Sequence, residues 1–140
     1  MSKGQLLGID LGEVRTGVAI CDDEQRMAVP LTTFEKHSRE QLVAEILKLC
    51  HERQITGIVV GMPFNMDGSE GPKARQAREF GRLLAENSAP PVHFQDERLS
   101  SWEAEGKLIE AGLKPRQRKS KIDAIAAQTI LQSWLDANRS

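Results

Sequence analysis

The order of the apolar segments along the chain constrains its fold more than any other feature. Three short strand-like segments come first, and helical and strand-like segments alternate after them. The predicted strands span residues 6–10, 16–21, 28–33, 56–60 and 91–95, and Pro30 marks the third as an edge strand. Hairpins pair strands antiparallel, whereas helical crossovers make them parallel. The order therefore indicates an α/β sandwich whose first three strands are antiparallel and whose others are parallel.

The predicted helices follow from apolar spacing and from residues that begin or end helices. They span residues 40–53, 72–86 (with Pro72 in the first turn), a segment from a cap at Ser100 to Gly112, and residues 122–136. A chain of 140 residues without an internal repeat or a linker is expected to form one domain, residues 1–140.

Bulk properties narrow the classes of function. The formal net charge is −1, so a nucleic-acid partner would have to be held by local patches of positive charge. No apolar stretch approaches the roughly 18 residues of a membrane helix, and the first residues leave no room for a signal peptide. We therefore expect a cytoplasmic protein without a membrane partner, in which Cys21 and Cys50 are buried, reduced thiols.

Two acidic residues stand at the ends of predicted strands. Asp10 ends an apolar strand, where a lone buried carboxylate needs a partner or a cation, although it could instead cap the turn at Gly12. Glu97 follows the last strand, at the edge where parallel α/β sheets form their functional crevice. The alternative for Glu97 is a solvated loop in which it pairs with Arg98.

A third acidic residue, Asp123, opens the last predicted helix on its apolar face. Small residues on that face, Ala126 and Ala127, would allow the helix to approach the sheet closely. The alternative is an N-terminal acid that complements the helix dipole. If Asp10, Glu97 and Asp123 converge, these catalytic carboxylates form a metal site suited to two Mg²⁺ or Mn²⁺ ions and to in-line displacement at phosphorus.

Four ordered sequence blocks resemble the YqgF (RuvX) family, in the RuvC-like branch of the RNase H-like fold. They are Gly8-Ile9-Asp10-Leu11-Gly12 with Thr16-Gly17-Val18-Ala19, Val60-Gly61-Met62-Pro63 with Asn65-Met66-Asp67-Gly68, Asp96-Glu97-Arg98-Leu99-Ser100, and Lys121-Ile122-Asp123 with Ala126-Ala127. The resemblance implies a five-stranded mixed sheet with helices on both faces and places the family's acidic triad on Asp10, Glu97 and Asp123. It also implies processing of the 5′ end of the small-subunit (16S) ribosomal RNA precursor, or resolution of Holliday junctions. Val14 stands where the family often has Lys, a charge that Arg15 could supply.

Several polar residues are candidates to bind nucleic acid. The set comprises Arg15, Asn65 and Arg98 together with a basic cluster predicted to lie in the loop before Asp123, namely Lys114, Arg116, Arg118, Lys119 and Lys121. Arg75, Arg78 and Arg82 form a stripe on the second helix that is either a further patch or a solvated face. Asn65 could equally belong to a structural turn, and Asp67 or Asp96 could add a metal ligand.

The leading function is a metal-dependent endonuclease that acts on ribosomal RNA precursor or on branched DNA. A non-catalytic RNA-binding ribosome assembly factor with the same fold is the alternative from another class. An actin-like phosphotransferase is suggested by Gly8-x-Asp10-x-Gly12 alone, but such enzymes need two domains. The choice between RNA and DNA stays open, as does the choice between a monomer and a homodimer, since junction resolution favours a two-fold dimer.

Overall fold

A single five-stranded sheet forms the centre of the molecule. The computed structural model describes residues 3–35, 38–87, 90–97 and 115–138, with side chains from residue 122 onward in the last range. The strands are β1 (Leu6–Asp10), β2 (Arg15–Cys21), β3 (Ala28–Glu35), β4 (Gly57–Met62) and β5 (Val92–Asp96). Their order across the sheet is β3-β2-β1-β4-β5, so β3 is an edge strand, as Pro30 predicted.

The directions of the strands follow from the connections between them. β1 pairs antiparallel with β2, and β2 pairs antiparallel with β3 across a register shift at Val18/Ala19. β4 runs parallel to both β1 and β5. One helix carries the chain from β3, which runs in the same direction as β1, to β4, and a second carries it from β4 to β5. The mixed sheet predicted from the sequence is confirmed, and the carboxyl ends of β1, β4 and β5 meet at one edge.

Three helices are described: α1 (Arg39–Arg53), α2 (Pro72–Glu86) and α3 (Pro115–Ala137). α1 begins at a capping box in which the Ser38 hydroxyl accepts from the Gln41 backbone and the Gln41 side chain accepts from the Ser38 backbone. α2 has the predicted bounds. The helix predicted after Ser100 lies outside the described residues.

The predicted start of the last helix was wrong. α3 begins at Pro115, not at residue 122, so four of the basic residues assigned to a loop, Arg116, Arg118, Lys119 and Lys121, lie in its first turns. Pro is favoured at the first helical position, and Arg, Gln and Lys are good helix formers. That part of the helix carries no apolar periodicity, which is why the spacing of apolar residues did not reveal it.

Each face of the sheet buries a separate apolar core. On one face, α1 and α2 cover the sheet through residues such as Ile46 and Phe80. On the other face, α3 packs through Leu131 and its neighbours. Helices therefore cover both faces, as predicted, and Cys21 and Cys50 are buried free thiols. Among the described helices, none has both the length and the apolar character needed to cross a bilayer.

Candidate active site

Asp10 lies at the carboxyl end of β1, on the face of the sheet covered by α3. Side chains alternate along a strand, so Asp10 shares its face with Gly8. A Cβ atom on Gly8 would lie 2.7 Å from the Leu131 Cβ of α3 and 2.9 Å from the Ala127 carbonyl oxygen. Ala127 thus lies against the strand that ends in Asp10, the close approach that the small residues of this helix predicted.

Glu97 reaches Asp10 by crossing over β4 at a glycine. The Glu97 backbone N–H donates to the Met62 carbonyl at 3.1 Å, which extends the pairing of β5 with β4 by one residue. A Cβ on Gly61 would lie 2.8 Å from both Cδ and Oε2 of Glu97. Only a glycine at this position leaves room for the carboxyl group, which hydrogen-bonds to Asp10 on the far side of β4.

Ionising both of the facing carboxyl groups, Asp10 and Glu97, would place two negative charges side by side in a partly buried site. Burial raises the pKa of Asp10, and the negative charge of Asp123 raises it further, while the hydrogen bond from Glu97 lowers it. Burial also raises the pKa of Glu97, to which the charge of Asp10 and the hydrogen bond to Asp10 add. A protonated Glu97 therefore donates to an ionised Asp10 when no cation is present.

Asp123 reaches the same edge of the sheet because α3 touches β2 at a glycine. A Cβ on Gly17, which pairs with Asp10, would lie 1.9 Å from the Asp123 carbonyl oxygen. The Asp123 carboxylate accepts a hydrogen bond from Arg15 Nε at 3.0 Å. Burial raises the pKa of Asp123, and the Arg15 guanidinium counteracts that rise.

The position of Asp123 in α3 argues against the alternative that it complements the helix dipole. α3 begins at Pro115, so Asp123 is in the third turn, and the favourable effect of the helix dipole on an acid is confined to the first turn. Its charge acts instead on Arg15 and Asp10. Within the described ranges, no three Asp, Glu, His or Cys side chains are grouped closely enough to hold a metal ion. The structure thus pairs Asp10 with Glu97 and pairs Asp123 with Arg15.

These residues fit a divalent cation. Asp10 and Glu97 are half-buried carboxyl groups that share a proton, which removes the repulsion between two negative charges. A bound cation would neutralise the pair in place of that proton. Their oxygen atoms suit Mg²⁺ or Mn²⁺. Asp123 would join them by exchanging Arg15 for the ion.

A cleft of about 220 Å³ opens beside the acids. One of its lining residues is a lysine, Lys73, that the sequence patterns did not indicate as a site residue. Residues 11–15 line one side of it, and Lys73, Gln76 and Asp123 complete it. The charge of Lys73 lowers the pKa of both Asp10 and Glu97. Lys73 stands next to Pro72 and is far from Asp10 and Glu97 in the sequence. No rule of sequence spacing connects this lysine to those acids.

Other predicted contact residues lie elsewhere or outside the described part. Asn65 belongs to the loop after β4, where its side-chain amide donates to the Ser69 hydroxyl at 3.0 Å. Asp67 accepts from the backbone and hydroxyl of Ser69 in the same turn. Of the basic residues, Arg98 and Lys114 lie outside the described residues, and Arg116, Arg118, Lys119 and Lys121 are described only as backbone of α3.

Solved structures with this fold include two proteins in complex with a Holliday junction. A Thermus thermophilus RuvC in complex with a Holliday junction substrate matches with a TM-score of 0.61 and 18% identity, over 96% of this chain and 94% of that one. A fowlpox virus resolvase in complex with Holliday junction DNA matches with a TM-score of 0.59 and 11% identity, over 97% of this chain and 99% of that one. These likenesses define the class of the fold as RuvC-like, within the RNase H-like group.

Sequence relatives identify the family within that class. Residues 4–137 match the RuvX family, described as Holliday junction resolvase. A Chloroflexus aurantiacus protein named "Putative pre-16S rRNA nuclease" is 45% identical over 140 residues, which cover 100% of this chain and 92% of the relative. A protein of the same name from Anaeromyxobacter is 46% identical over 134 residues, with 96% and 98% covered. The chain belongs to the RuvX family.

Proposed function

We propose that this chain is a divalent-metal-dependent endonuclease of the cytoplasm that processes the 5′ end of pre-16S ribosomal RNA, using Asp10, Glu97 and Asp123 and two Mg²⁺ or Mn²⁺ ions. The observation that carries the proposal is the hydrogen-bonded pair of half-buried carboxyl groups, Asp10 and Glu97, at the edge where the strand ends meet. The RuvX membership and the names of the relatives support the choice of reaction and substrate.

The chain's own residues each have a part in this reaction. Asp10 and Glu97 would bind the metal on the sheet side, and Glu97 would release its proton as the cation arrives. Asp123 would bind from α3 once Arg15 leaves it, and Arg15 would then be free to contact a substrate phosphate. When bound, the divalent ion supplies a Lewis acid at the phosphodiester.

Cleavage of Holliday junctions is the second candidate. The description of the RuvX family and the junction-bound structures with this fold favour it. Resolution of a junction treats two strands symmetrically, which favours a two-fold dimer, whereas trimming one RNA end requires one active site. The two candidates therefore differ in substrate and in the oligomeric state of the active species.

The deciding experiment measures cleavage of a labelled pre-16S RNA fragment and of a four-way DNA junction, with and without Mn²⁺. Asp10→Asn is expected to lower cleavage roughly a thousand-fold, equivalent to about 4 kcal/mol of transition-state stabilisation. The matched control is Asp23→Asn, an exposed carboxylate in the turn after β2, at the opposite end of the sheet. Full activity is expected in the control.

The outcomes separate the candidates. Metal-dependent cutting of RNA alone supports the ribosomal RNA nuclease, and cutting of the junction alone by a dimer supports the resolvase. Retained Mn²⁺-dependent cleavage in Asp10→Asn contradicts the assignment of the site. RNA binding without cleavage by the folded wild-type chain would favour the assembly factor instead.

A further inference from the structure

The cations of α2 fall into two groups that the sequence alone did not distinguish. Arg78 is paired with Glu70, its Nε donating at 2.9 Å, and Arg82 is paired with both Glu79 and Glu86. These ion pairs are exposed and neutralise most of the stripe that the helix presents. At Arg78 and Arg82 the helix therefore presents an ion-paired, solvated face rather than a free patch for phosphate, whereas no ion pair joins Arg75 to a described acid.

Lys73 differs from these arginines in its partners. It lies in the first turn of α2 with an exposed side chain, and no ion pair joins it to an acid in the part of the chain that the structure describes. It lines the same cleft as Arg15, Gln76 and Asp123. Its ammonium group is thus the cation on the α2 side of this cleft that stays available to a ligand.

The charge of Lys73 acts on the pair of acids next to that cleft. It favours the ionised forms of both Asp10 and Glu97, while Arg15, which lines the same cleft, neutralises Asp123. The ionised Asp10 repels a phosphodiester that approaches when no cation is bound, and the net charge of −1 provides no general attraction. A cation that lines the cleft is a local means of holding the phosphate there.

We propose that Lys73 is a substrate-positioning residue that binds a backbone phosphate of the nucleic acid in the cleft that it lines together with Arg15. The inference rests on the proposed nuclease function and adds a contact to it. A lysine contact of this kind fixes the position of the backbone and makes binding sensitive to salt, without selecting a sequence.

Binding can be measured without cleavage in the Asp10→Asn background, with the labelled pre-16S fragment as the probe. Adding Lys73→Gln is expected to weaken binding about 3- to 10-fold and to reduce the slope of log affinity against log salt by about 0.7 to 0.9, the value of one lost phosphate contact. Lys73→Arg should restore both. In the chain with native Asp10, Lys73→Gln should act mainly on KM, with kcat within about two-fold.

The matched control is Arg75→Gln in the same background. Arg75 is an exposed cation two residues along α2, so the control makes the same change of charge on the same helix. It does not line the cleft. Unchanged affinity and salt slope are expected for Arg75→Gln, and thermal unfolding of each variant checks that the fold is intact.

The possible failures are distinguishable. If Lys73→Gln leaves affinity and salt slope unchanged and alters only the affinity for Mn²⁺, Lys73 is merely an electrostatic neighbour of the acids, and the inference is overturned while the nuclease stands. If the wild-type chain binds RNA but does not cut it, the proposed function fails and the salt slope still decides the role of Lys73. If it binds neither RNA nor junction, both fail.

Discussion

The ion pair between Arg15 and Asp123 links metal binding to substrate binding through one side chain. The Arg15 Nε–Asp123 Oδ2 distance is 3.0 Å, and the side chains are 26% and 22% exposed. At this exposure the pair is only partly screened by water. The Arg15 guanidinium therefore binds the carboxylate that would serve as a third metal ligand. Arg15 and a metal ion would compete for Asp123.

Replacing Arg15 by Gln is expected to affect metal and nucleic acid in opposite directions. Without its competitor, Asp123 should allow Mn²⁺ to bind about 3- to 10-fold more tightly, equivalent to about 1 kcal/mol. Binding of the pre-16S fragment should weaken by a similar factor, because a phosphate contact is lost. Calorimetric titration with Mn²⁺ alone and a separate RNA titration measure the two effects.

Arg53→Gln provides the control for that prediction. Arg53 is exposed at the end of α1, in a groove beside β3 that is separate from the acids. Both affinities should match those of the wild-type chain. Weaker Mn²⁺ binding by a folded Arg15→Gln variant would mean that Arg15 orients Asp123 for the ion, contrary to the competition described above.

At the scale of elements, two glycines determine how closely the acids approach one another. Gly17 lets the backbone of α3 rest on β2, and Gly61 lets Glu97 cross over β4. Both contacts lie on the face of the sheet covered by α3, and neither leaves space for a methyl group. The acids therefore depend on how helix and strand pack as well as on their own side chains.

Gly17→Ala is expected to destabilise the chain and to weaken the metal site together. The added Cβ would lie 1.9 Å from the Asp123 carbonyl oxygen, and backbone cannot yield as a side chain can. We expect a loss of about 1–3 kcal/mol in the free energy of unfolding, together with weaker Mn²⁺ binding because α3 must move with Asp123. Urea unfolding and Mn²⁺ titration measure the two effects.

Gly57→Ala is the matched control within the same sheet. Its Cβ would meet Leu6 Cδ2 at 2.7 Å, the end of a flexible side chain, and no backbone atom closer than 3.7 Å. Both substitutions restrict the unfolded chain equally, so the difference between them isolates the collision with α3. Equal losses of stability and unchanged Mn²⁺ affinity in the two variants would show that α3 accommodates the methyl group.

At the scale of the whole molecule, the acid site opposes folding when no cation is present. Burial raises the pKa of Asp10 and that of Glu97 above their ordinary values, so the folded chain holds protons that the unfolded chain releases. The stability contributed by these two groups is therefore fully present below the ordinary carboxyl pKa of about 4 and is lost as the pH rises through the raised values. A cation that binds only the folded chain offsets this loss.

The free energy of unfolding in chelator is therefore expected to fall with rising pH more steeply for the wild-type chain than for Glu97→Gln. Urea unfolding between about pH 5 and about pH 8 measures the two slopes, and their difference removes the effect of all other titrating groups. Mn²⁺ at about 100 times its dissociation constant should restore about 2.7 kcal/mol to the wild-type chain at the upper pH. Parallel slopes for the two chains would contradict the raised pKa of Glu97.

Much of the fold was predictable from local patterns. The five strands were predicted to within two residues at each end and α2 at both of its ends, because apolar runs, Pro72 and turn residues are local signals. The start of α3 was not, since residues 115–121 show no apolar periodicity. Because α3 begins at Pro115, Asp123 lies in its third turn. The interpretation of Asp123 therefore depended on a helix boundary that the spacing of apolar residues could not predict.

The sequence by itself determined the order of the elements, the mixed sheet, the family and the three acids worth testing. Only the tertiary structure decided how those acids are paired. Arg15 and Asp123 are 108 residues apart, and Glu97 meets Asp10 across a strand that belongs to neither. Local propensity depends on neighbours in the chain, whereas charge pairing depends on distances that exist only after α3 has packed on Gly17 and Glu97 has crossed Gly61.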